Sequence, residues 1–260
     1  MKNIDEKARE QFRLDTNCSA ENDTGIMINE SAERPGARLV DGVSSFFRAI
    51  IYKGDAYIMA DPLIIDWVRE KYGEYKAEWF CKFENLRVLD RKLNEYGREI
   101  MDTHVYMLPD PEFTDYEYEE LPYDRYWLYD KEIAEWREKY GEDNPFYHAL
   151  VFSKRQPDRI ALLLTAKGDR ESIAAMSGVS QDGQNLWQIG IDVLPEYRGH
   201  GLATYLTESM KKKVFETGHI PFYGTSESHS LSMDTAIRSG FIPAWCEIYV
   251  REQAEGNDKE

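Results

Sequence analysis

The run from Trp187 to Ala203 combines residue types and a spacing that favour the binding of a phosphate group. Its apolar residues predict a strand that ends at Val193, and Gly199 and Gly201 open the helix that follows. Glycines at such a junction let the backbone approach a ligand closely, and the free N–H groups and dipole of a helix N-terminus attract an anion. We therefore expect a diphosphate to bind here, with Arg198 as a further charge-assisted contact.

Other phosphate-binding patterns fit this run less well. The sequence has no Gly-x-x-x-x-Gly-Lys-Ser/Thr motif, and the stretch from Gly199 to Ala203 lacks the third glycine of a dinucleotide-binding fingerprint. Taken alone, two glycines are also typical of a plain turn between a strand and a helix. The residues around them decide between these interpretations.

The wider run resembles the acetyl-CoA-binding motif of the GNAT superfamily of N-acetyltransferases, Val-x-Pro-x-x-Arg-Gly-x-Gly-x-Gly/Ala. Every defined position is matched, by Val193, Pro195, Arg198, Gly199, Gly201 and Ala203. Downstream, the stretch from Ser228 to Phe241 resembles the second family motif, Ser-Asn-x-x-Ser-x-x-x-Ala-x-x-x-Gly-Phe, with His229 in place of the asparagine. Two motifs in register make a plain turn a poor explanation.

The resemblance implies an α/β fold with a mixed sheet, the GNAT acyl-CoA N-acyltransferase fold. It places the acetyltransferase domain at residues 118–250 and a flexible tail at residues 251–260. Residues 1–117 are expected to form a half-domain of related pattern, with an N-terminal helix and then strand, strand, helix, helix and strand. Within them, Arg9–Phe12 and Asp15–Ser19 look like the N-terminal part of a poorly characterised, two-part bacterial branch of these enzymes.

The resemblance also implies that acetyl-CoA is the co-substrate, and we expect no metal cofactor. The end of the strand would hold the pantetheine arm, with Gly190 permitting a bulge that splays this strand from the next. Amides of the glycine loop would bind the pyrophosphate. The residues expected to bind the cofactor are Ile191, Val193, Arg198, Gly199, His200, Gly201, Leu202, Ala203, Ser228 and Ser232.

The chain departs from the family pattern at the positions that move protons. Ala236 occupies the position where many relatives have a tyrosine that acts as the general acid. The position of the usual glutamate base lies near Trp187. The catalytic candidates are therefore taken from the predicted strand and loop nearest the acyl group: Glu227, His229 and Tyr223. A surface loop or helix cap is the alternative role for the first two, and the core is the alternative for the tyrosine. Asp192 fits the substrate cleft and the surface equally well.

The function implied is transfer of an acetyl group to a primary amine of a small molecule, by direct attack of the positioned amine on the thioester. Two alternatives stay open. One is a non-catalytic acyl-CoA-binding sensor or regulatory module, which the missing tyrosine and glutamate favour. The other is an enzyme that uses a longer acyl-CoA.

The composition of the chain indicates which classes of binding partner and which cellular location to expect. A net charge of −16 argues against nucleic acid and an anionic membrane surface, and it is compatible with a cationic amine. The three cysteines, which are far apart in the sequence and form no Cys-x-x-Cys pair, indicate neither a disulfide framework nor a zinc site. Without an apolar signal or membrane segment, we expect a cytoplasmic protein. A homodimer is one assembly that the sequence allows.

The elements that must position these residues follow from periodicity. In the first half we expect an N-terminal helix, a polar connector at residues 17–36, a hairpin around Lys53–Asp55, and a helix that begins at Asp61-Pro62. A second helix around Leu86–Tyr96 and a strand at Thr103–Leu108 complete this half. The acidic stretch Pro109–Pro122 is predicted to be a solvated connector.

In the second half, Asp130 is expected to cap a helix, and two strands follow around a turn at residues 167–170. Leu186–Val193 is predicted to be a strand and Gly199–Phe215 a helix. A strand at Ile220–Thr225, a helix at Leu231–Ser239 and a strand at Phe241–Val250 complete the pattern.

Overall fold

A computed structural model describes residues 4–19, 24–118 and 120–254, and these residues form six α helices and ten strands. The helices are α1 (Ile4–Asp15), α2 (Ile65–Tyr72), α3 (Phe83–Asn94), α4 (Asp130–Tyr140), α5 (Leu202–Glu216) and α6 (Ser230–Arg238). The strands are β1 (Ile26–Glu30), β2 (Phe47–Tyr52), β3 (Asp55–Ala60), β4 (Arg98–Pro109), β5 (Tyr123–Tyr129), β6 (Asp158–Ala166), β7 (Asp169–Ser180), β8 (Leu186–Val193), β9 (Ile220–Thr225) and β10 (Phe241–Glu252). Short 3₁₀ helices lie at Ala77–Trp79, Gly141–Asp143 and Pro195–Tyr197.

The chain divides into two compact units. The first contains residues 1–8 and 107–243, and the second contains residues 9–106 and 244–260. Strands β4 and β10 each contribute residues to both units. The domain boundary at residues 117 and 118 stays a prediction, because compactness does not by itself define a domain that folds alone.

The first unit holds the glycine loop and is built on the strand order β9-β8-β7-β6-β5. Its strands pair antiparallel except for β8 and β9, which are parallel. Alternate residues of β6 point to opposite faces: Leu162 and Leu164 join the core that α5 covers, and Ala161 and Leu163 join the core that α4 covers. The end of β8 therefore lies in a sheet with a packed core on each face.

The second unit follows the strand order β1-β3-β2-β10-β4. β1 runs parallel to β3, whereas β2 pairs antiparallel with both β3 and β10. The predicted hairpin is confirmed, with Lys53 and Gly54 at φ of 50° and 84° in its turn. The core residues of α2 and α3 pack with those of β2 and β3.

Two strands, β1 and β5, were not predicted from the sequence. The predicted connector at residues 17–36 contains β1, and no element was predicted where β5 lies. β1 is only five residues long and acquires its strand partner, β3, from a distant part of the chain. Such short strands carry little local signal, because tertiary pairing rather than periodicity makes them strands.

Three helix starts were predicted wrongly. α2 begins at Ile65, because residues 61–64 form a turn in which the Asp61 carbonyl accepts the amides of residues 64 and 65. Tyr129, rather than Asp130, is the N-cap of α4. α5 begins at Leu202, because Gly199 and Gly201 have φ of 81° and 75° and lie outside the helix.

In the acidic stretch, residues 114–118 are exposed, as expected of a solvated connector, but they also make specific contacts within the first unit that were not predicted. Asp115 forms ion pairs with Lys211 and Lys212 on α5, at 3.0 and 3.3 Å. The Tyr118 hydroxyl donates to the buried carboxylate of Glu208, also on α5, at 2.8 Å. The stretch is thus tied to the helix that follows the glycine loop.

The cysteines are free thiols, but two of them that are distant in sequence lie close together. The Sγ atoms of Cys81 and Cys246, both in the second unit, are 3.4 Å apart. Within the ranges that the structure describes, no helix is both long and apolar enough to cross a membrane.

Candidate functional site

The two central strands of the site part before β8 ends. Parallel pairing of β8 with β9 runs from Leu186 opposite Ile220 to Ile189 opposite Tyr223. Pairing of β8 with β7 continues to Val193. From Gly190 to Val193, β8 therefore has a β7 partner but no described β9 partner. This confirms the predicted splay, and it leaves backbone groups of β8 available to a ligand.

The glycine loop joins this split to the start of α5. Gly199, His200 and Gly201 are exposed, and a Cβ atom built at either glycine would meet no heavy atom within 4 Å. The amides of residues 199–204 donate to no acceptor in the described part of the chain, while the Gly201 carbonyl accepts the Tyr205 amide at 3.1 Å and so starts α5. The loop thus presents a row of free N–H donors at a positive helix end.

The other predicted cofactor residues surround this loop, although their roles stay predictions. Arg198 is exposed, and its Nε donates to the Val193 carbonyl at 3.0 Å, which ties the loop to the end of β8. His200 Nδ1 lies 3.3 Å from the Tyr197 carbonyl. The Leu202 side chain is buried in the core, so only its backbone is available to a ligand. Ile191, Val193 and Ala203 are half-buried.

The residues proposed on β9 and beyond it fall into two groups. Tyr223 is buried, and its hydroxyl lies 3.0 Å from Ser232 Oγ on α6. Burial raises the pKa of Tyr223, against the opposing effect of the Ser232 hydrogen bond. Glu227, Ser228 and His229 instead lie in the exposed loop before α6. The structure therefore brings Tyr223 and Ser232 together and leaves the other three at the surface.

The two positions where this chain lacks the proton-transferring residues of the family pattern are both occupied by packed side chains. Ala236 is completely buried in the core of the first unit. Trp187 is nearly buried and stacks on His219, with ring centroids 4.0 Å apart. Neither alanine nor tryptophan transfers protons, so a proton acceptor must come from elsewhere.

An imidazole and a carboxylate that the sequence analysis did not connect meet beside the end of β8. His148 Nδ1 lies 2.6 Å from Asp192 Oδ1, and Asp192 Oδ2 accepts the amides of His148 and Ala149 at 2.8 and 3.0 Å. Asp192 had been considered for the substrate cleft, but no local pattern marks His148. Their separation of 44 positions hides the contact from any sequence motif.

Gly178 and Gly190, which are partners across β7 and β8, make room for this contact. A Cβ atom on Gly190 would lie 1.8 Å from the His148 carbonyl oxygen, and one on Gly178 would lie 1.8 Å from the Ala149 carbonyl oxygen. The β7–β8 ladder shows no register shift here, so the expected bulge at Gly190 was wrong. Close approach of another backbone segment, rather than a bulge, explains the glycine.

We expect Gly190→Ala to destabilise the protein by about 1 to 3 kcal/mol, because the new methyl group displaces backbone rather than a flexible side chain. Chemical denaturation monitored by tryptophan fluorescence measures the change. Gln188→Ala, two residues earlier on the same strand, adds no atom beneath residues 148 and 149 and serves as the control. An unchanged unfolding midpoint for Gly190→Ala would show that this packing is dispensable.

A split strand pair beside unbonded amides at a helix N-terminus is typical of α/β proteins that bind a phosphate-bearing ligand at the end of a sheet. Within that class, the sequence assigns the chain to one family. Residues 106–241, just over half of the chain, match the acetyltransferase (GNAT) family. The chain belongs to this family, which uses acetyl-CoA, and the predicted fold class is confirmed.

Solved structures with similar folds include a GCN5-related N-acetyltransferase from Kribbella flavida, with 16% identity, a TM-score of 0.46 and coverage of 64% of each chain. A GCN5-related N-acetyltransferase-like protein from Streptococcus suis shares 13% identity over 83% of this chain and 89% of its own, with a TM-score of 0.44. The protein yncA from Salmonella typhimurium, solved with its cofactor acetyl-CoA, shares 11% identity over 54% of this chain and 99% of its own, with a TM-score of 0.34. No curated protein sequence matches the chain significantly.

Proposed function

We propose that the protein is an N-acetyltransferase that moves an acetyl group from acetyl-CoA to a primary amine of a small molecule. The observation that carries this proposal is the coincidence of two features at one place in the family domain. Strand β8 loses its β9 partner at Gly190, and a few residues further along the chain begin the amides of residues 199–204, which donate to no described acceptor.

The residues at this place suit acetyl-CoA, which supplies the acetyl group as a thioester. The backbone groups that β9 leaves unpaired in Gly190–Val193, apart from the Val193 carbonyl that Arg198 contacts, are suited to hydrogen bonds with the amides of a pantetheine arm. The loop amides at residues 199–203 and the positive end of α5 are suited to a diphosphate. Open space at Gly199 and Gly201 permits the close approach that such contacts need.

A small acceptor is favoured by the way residues 146–150 cover the sheet. Their buried side chains pack into the core that α4 covers, and the backbone at residues 148 and 149 rests on Gly178 and Gly190. This segment covers part of that face of the sheet, which suits a small acceptor. The net charge of −16 is compatible with attraction of a cationic amine. We place the enzyme in the cytoplasm on the basis of its three free thiols.

The test combines binding with turnover on the purified protein. Acetyl-CoA is expected to raise the unfolding temperature, and a panel of small primary amines is expected to include at least one that releases free thiol from acetyl-CoA. Stabilisation without turnover of any amine would instead indicate a sensor module, which the absence of the family tyrosine and glutamate favours. Preferential competition by longer acyl-CoAs would indicate a different donor, and the absence of any stabilisation would contradict the proposal.

A further inference from the structure

We propose that His148 is the general base of the transfer reaction and that Asp192 is its positioning residue. This inference rests on the function proposed above and adds to it the group that accepts the proton of the amine. Neither residue is a defined position of the two sequence motifs, and the contact between them exists only in the folded chain.

One carboxylate holds both the ring of His148 and the backbone that carries it. Asp192 Oδ1 contacts Nδ1 of the imidazole at 2.6 Å, and Oδ2 accepts the amides of His148 and Ala149. Asp192 is mostly buried, with 14% of its side chain exposed, whereas the His148 side chain is 57% exposed. A mostly buried carboxylate therefore orients an imidazole that is accessible to solvent.

The hydrogen bonds determine which nitrogen is free to act as a base. An ionised carboxylate only accepts hydrogen bonds, so the neutral imidazole carries its proton on Nδ1 and has its lone pair on Nε2. No described residue forms a hydrogen bond with Nε2, although the Tyr147 ring lies beside the imidazole with centroids 4.0 Å apart. The ring thus presents a proton acceptor outside the Asp192 contact.

The position of the imidazole relative to the split strands suits this role. The carbonyl of His148 rests against Gly190, the first residue of β8 without a described β9 partner. Asp192 lies two residues further along the same strand, and so on the same face. α5 packs on the opposite face, with Ile189 in its core. An amine that enters from the His148 face therefore meets the base beside the unpaired strand end.

The proton balance of the step is simple. The nitrogen of a neutral amine forms a bond to the thioester carbonyl carbon, and the bond between that carbon and sulfur breaks. Nε2 of His148 takes one proton from the nitrogen, and the resulting imidazolium gives that proton to the departing thiolate. The products are an amide and a free thiol, and His148 returns to its neutral form.

His148→Gln separates this chemical role from a structural one. The substitution removes the imidazole but retains the two backbone amides that bind Asp192. We expect kcat to fall about 10²- to 10⁴-fold, whereas the stabilisation by acetyl-CoA stays within about twofold of the wild type. His104→Gln, in the second unit, is the matched control and is expected to retain wild-type kcat. A kcat of His148→Gln within about threefold of the wild type would overturn the inference.

Asp192→Asn tests positioning through readouts that a purely structural role would not move. We expect kcat to fall while the KM for acetyl-CoA stays nearly constant. In ¹⁵N spectra of the wild type, we expect His148 to carry its proton on Nδ1, and we expect this tautomer to be lost in Asp192→Asn. A proton on Nε2 in the wild type would overturn the inference.

If the wild type turns over no amine, the proposed function fails. Wild-type turnover that persists in His148→Gln overturns only the base assignment.

Discussion

Gly201→Asp is expected to abolish the stabilisation of the protein by acetyl-CoA. At a ligand concentration of 100 times Kd, binding stabilises a folded protein by about 2.7 kcal/mol, and this gain should disappear in the variant. The reason is local, because Gly201 lies at the exposed start of α5 and the new carboxylate would repel a diphosphate at the same amides. Thermal unfolding with and without acetyl-CoA measures the effect.

Gly218→Asp provides a closely matched control at the other end of α5. Both glycines have positive φ, 75° at Gly201 and 83° at Gly218, and a Cβ atom at either meets nothing within 4 Å. The two variants therefore share the backbone strain and the added charge, and they differ in distance from the loop. Adding Arg198→Ala to Gly201→Asp should leave the fold intact and the response absent. Equal responses of the Gly201 and Gly218 variants would contradict the proposed site.

Glu247→Gln is expected to destabilise the second unit by about 3 to 5 kcal/mol, because it removes one partner of a buried ion-pair network. Glu247 is completely buried, and its carboxylate accepts hydrogen bonds from Arg38 at 3.0 Å, Arg48 at 2.5 Å and Trp245 at 3.0 Å. After the substitution, Asp15 is the carboxylate that still pairs with both arginines. Urea denaturation at pH 7 gives the change in free energy of unfolding.

The pH dependence of the same variant checks the cause. Burial opposes ionisation of Glu247, but the charges of Arg38 and Arg48 outweigh it and lower the pKa from 4.5 to about 2. A lowered pKa contributes stability that is present above pH 4.5 and is lost as the pH falls towards 2. The stability difference between the wild type and Glu247→Gln should therefore shrink across this range. A difference that is constant with pH would exclude the charge as its origin.

Glu252→Gln is the control on the same strand. Its carboxylate pairs with Arg98 at 2.9 Å but is 74% exposed, so solvent screens the interaction. We expect its effect on stability to be about 1 kcal/mol or less. An effect as large as that of Glu247→Gln would show that burial does not distinguish the two pairs.

Local pattern predicted most of the fold, and nonlocal strand pairing and backbone conformation account for the errors discussed next. The predicted bounds of β8 and β9 agree with the structure, because apolar residues recur along both strands, alternating with other residues in β8, and turn residues flank them. β1 was missed because its strand partner, β3, lies elsewhere in the sequence. The start of α5 was placed three residues early, because periodicity does not report the positive φ of Gly199 and Gly201.

The local features of the site were also predicted from the sequence, whereas its contacts between distant residues were not. The loop at residues 199–203 was found from its own spacing, because a turn, a helix start and a row of amides are all local features. His148 was not predicted because its proposed role depends on a carboxylate 44 positions away. It also depends on two glycines, which leave space for the backbone of residues 148 and 149. Tyr223 could be placed on a strand from the sequence, but its burial and its bond to Ser232 follow from packing alone.

A crystal structure of the protein bound to acetyl-CoA tests the central claim most directly. The account predicts diphosphate oxygens within hydrogen-bond distance of the amides of residues 199–203, and the pantetheine arm along Gly190–Val193. A cofactor bound elsewhere, or a loop closed by side chains with no cofactor at saturating concentration, would contradict it.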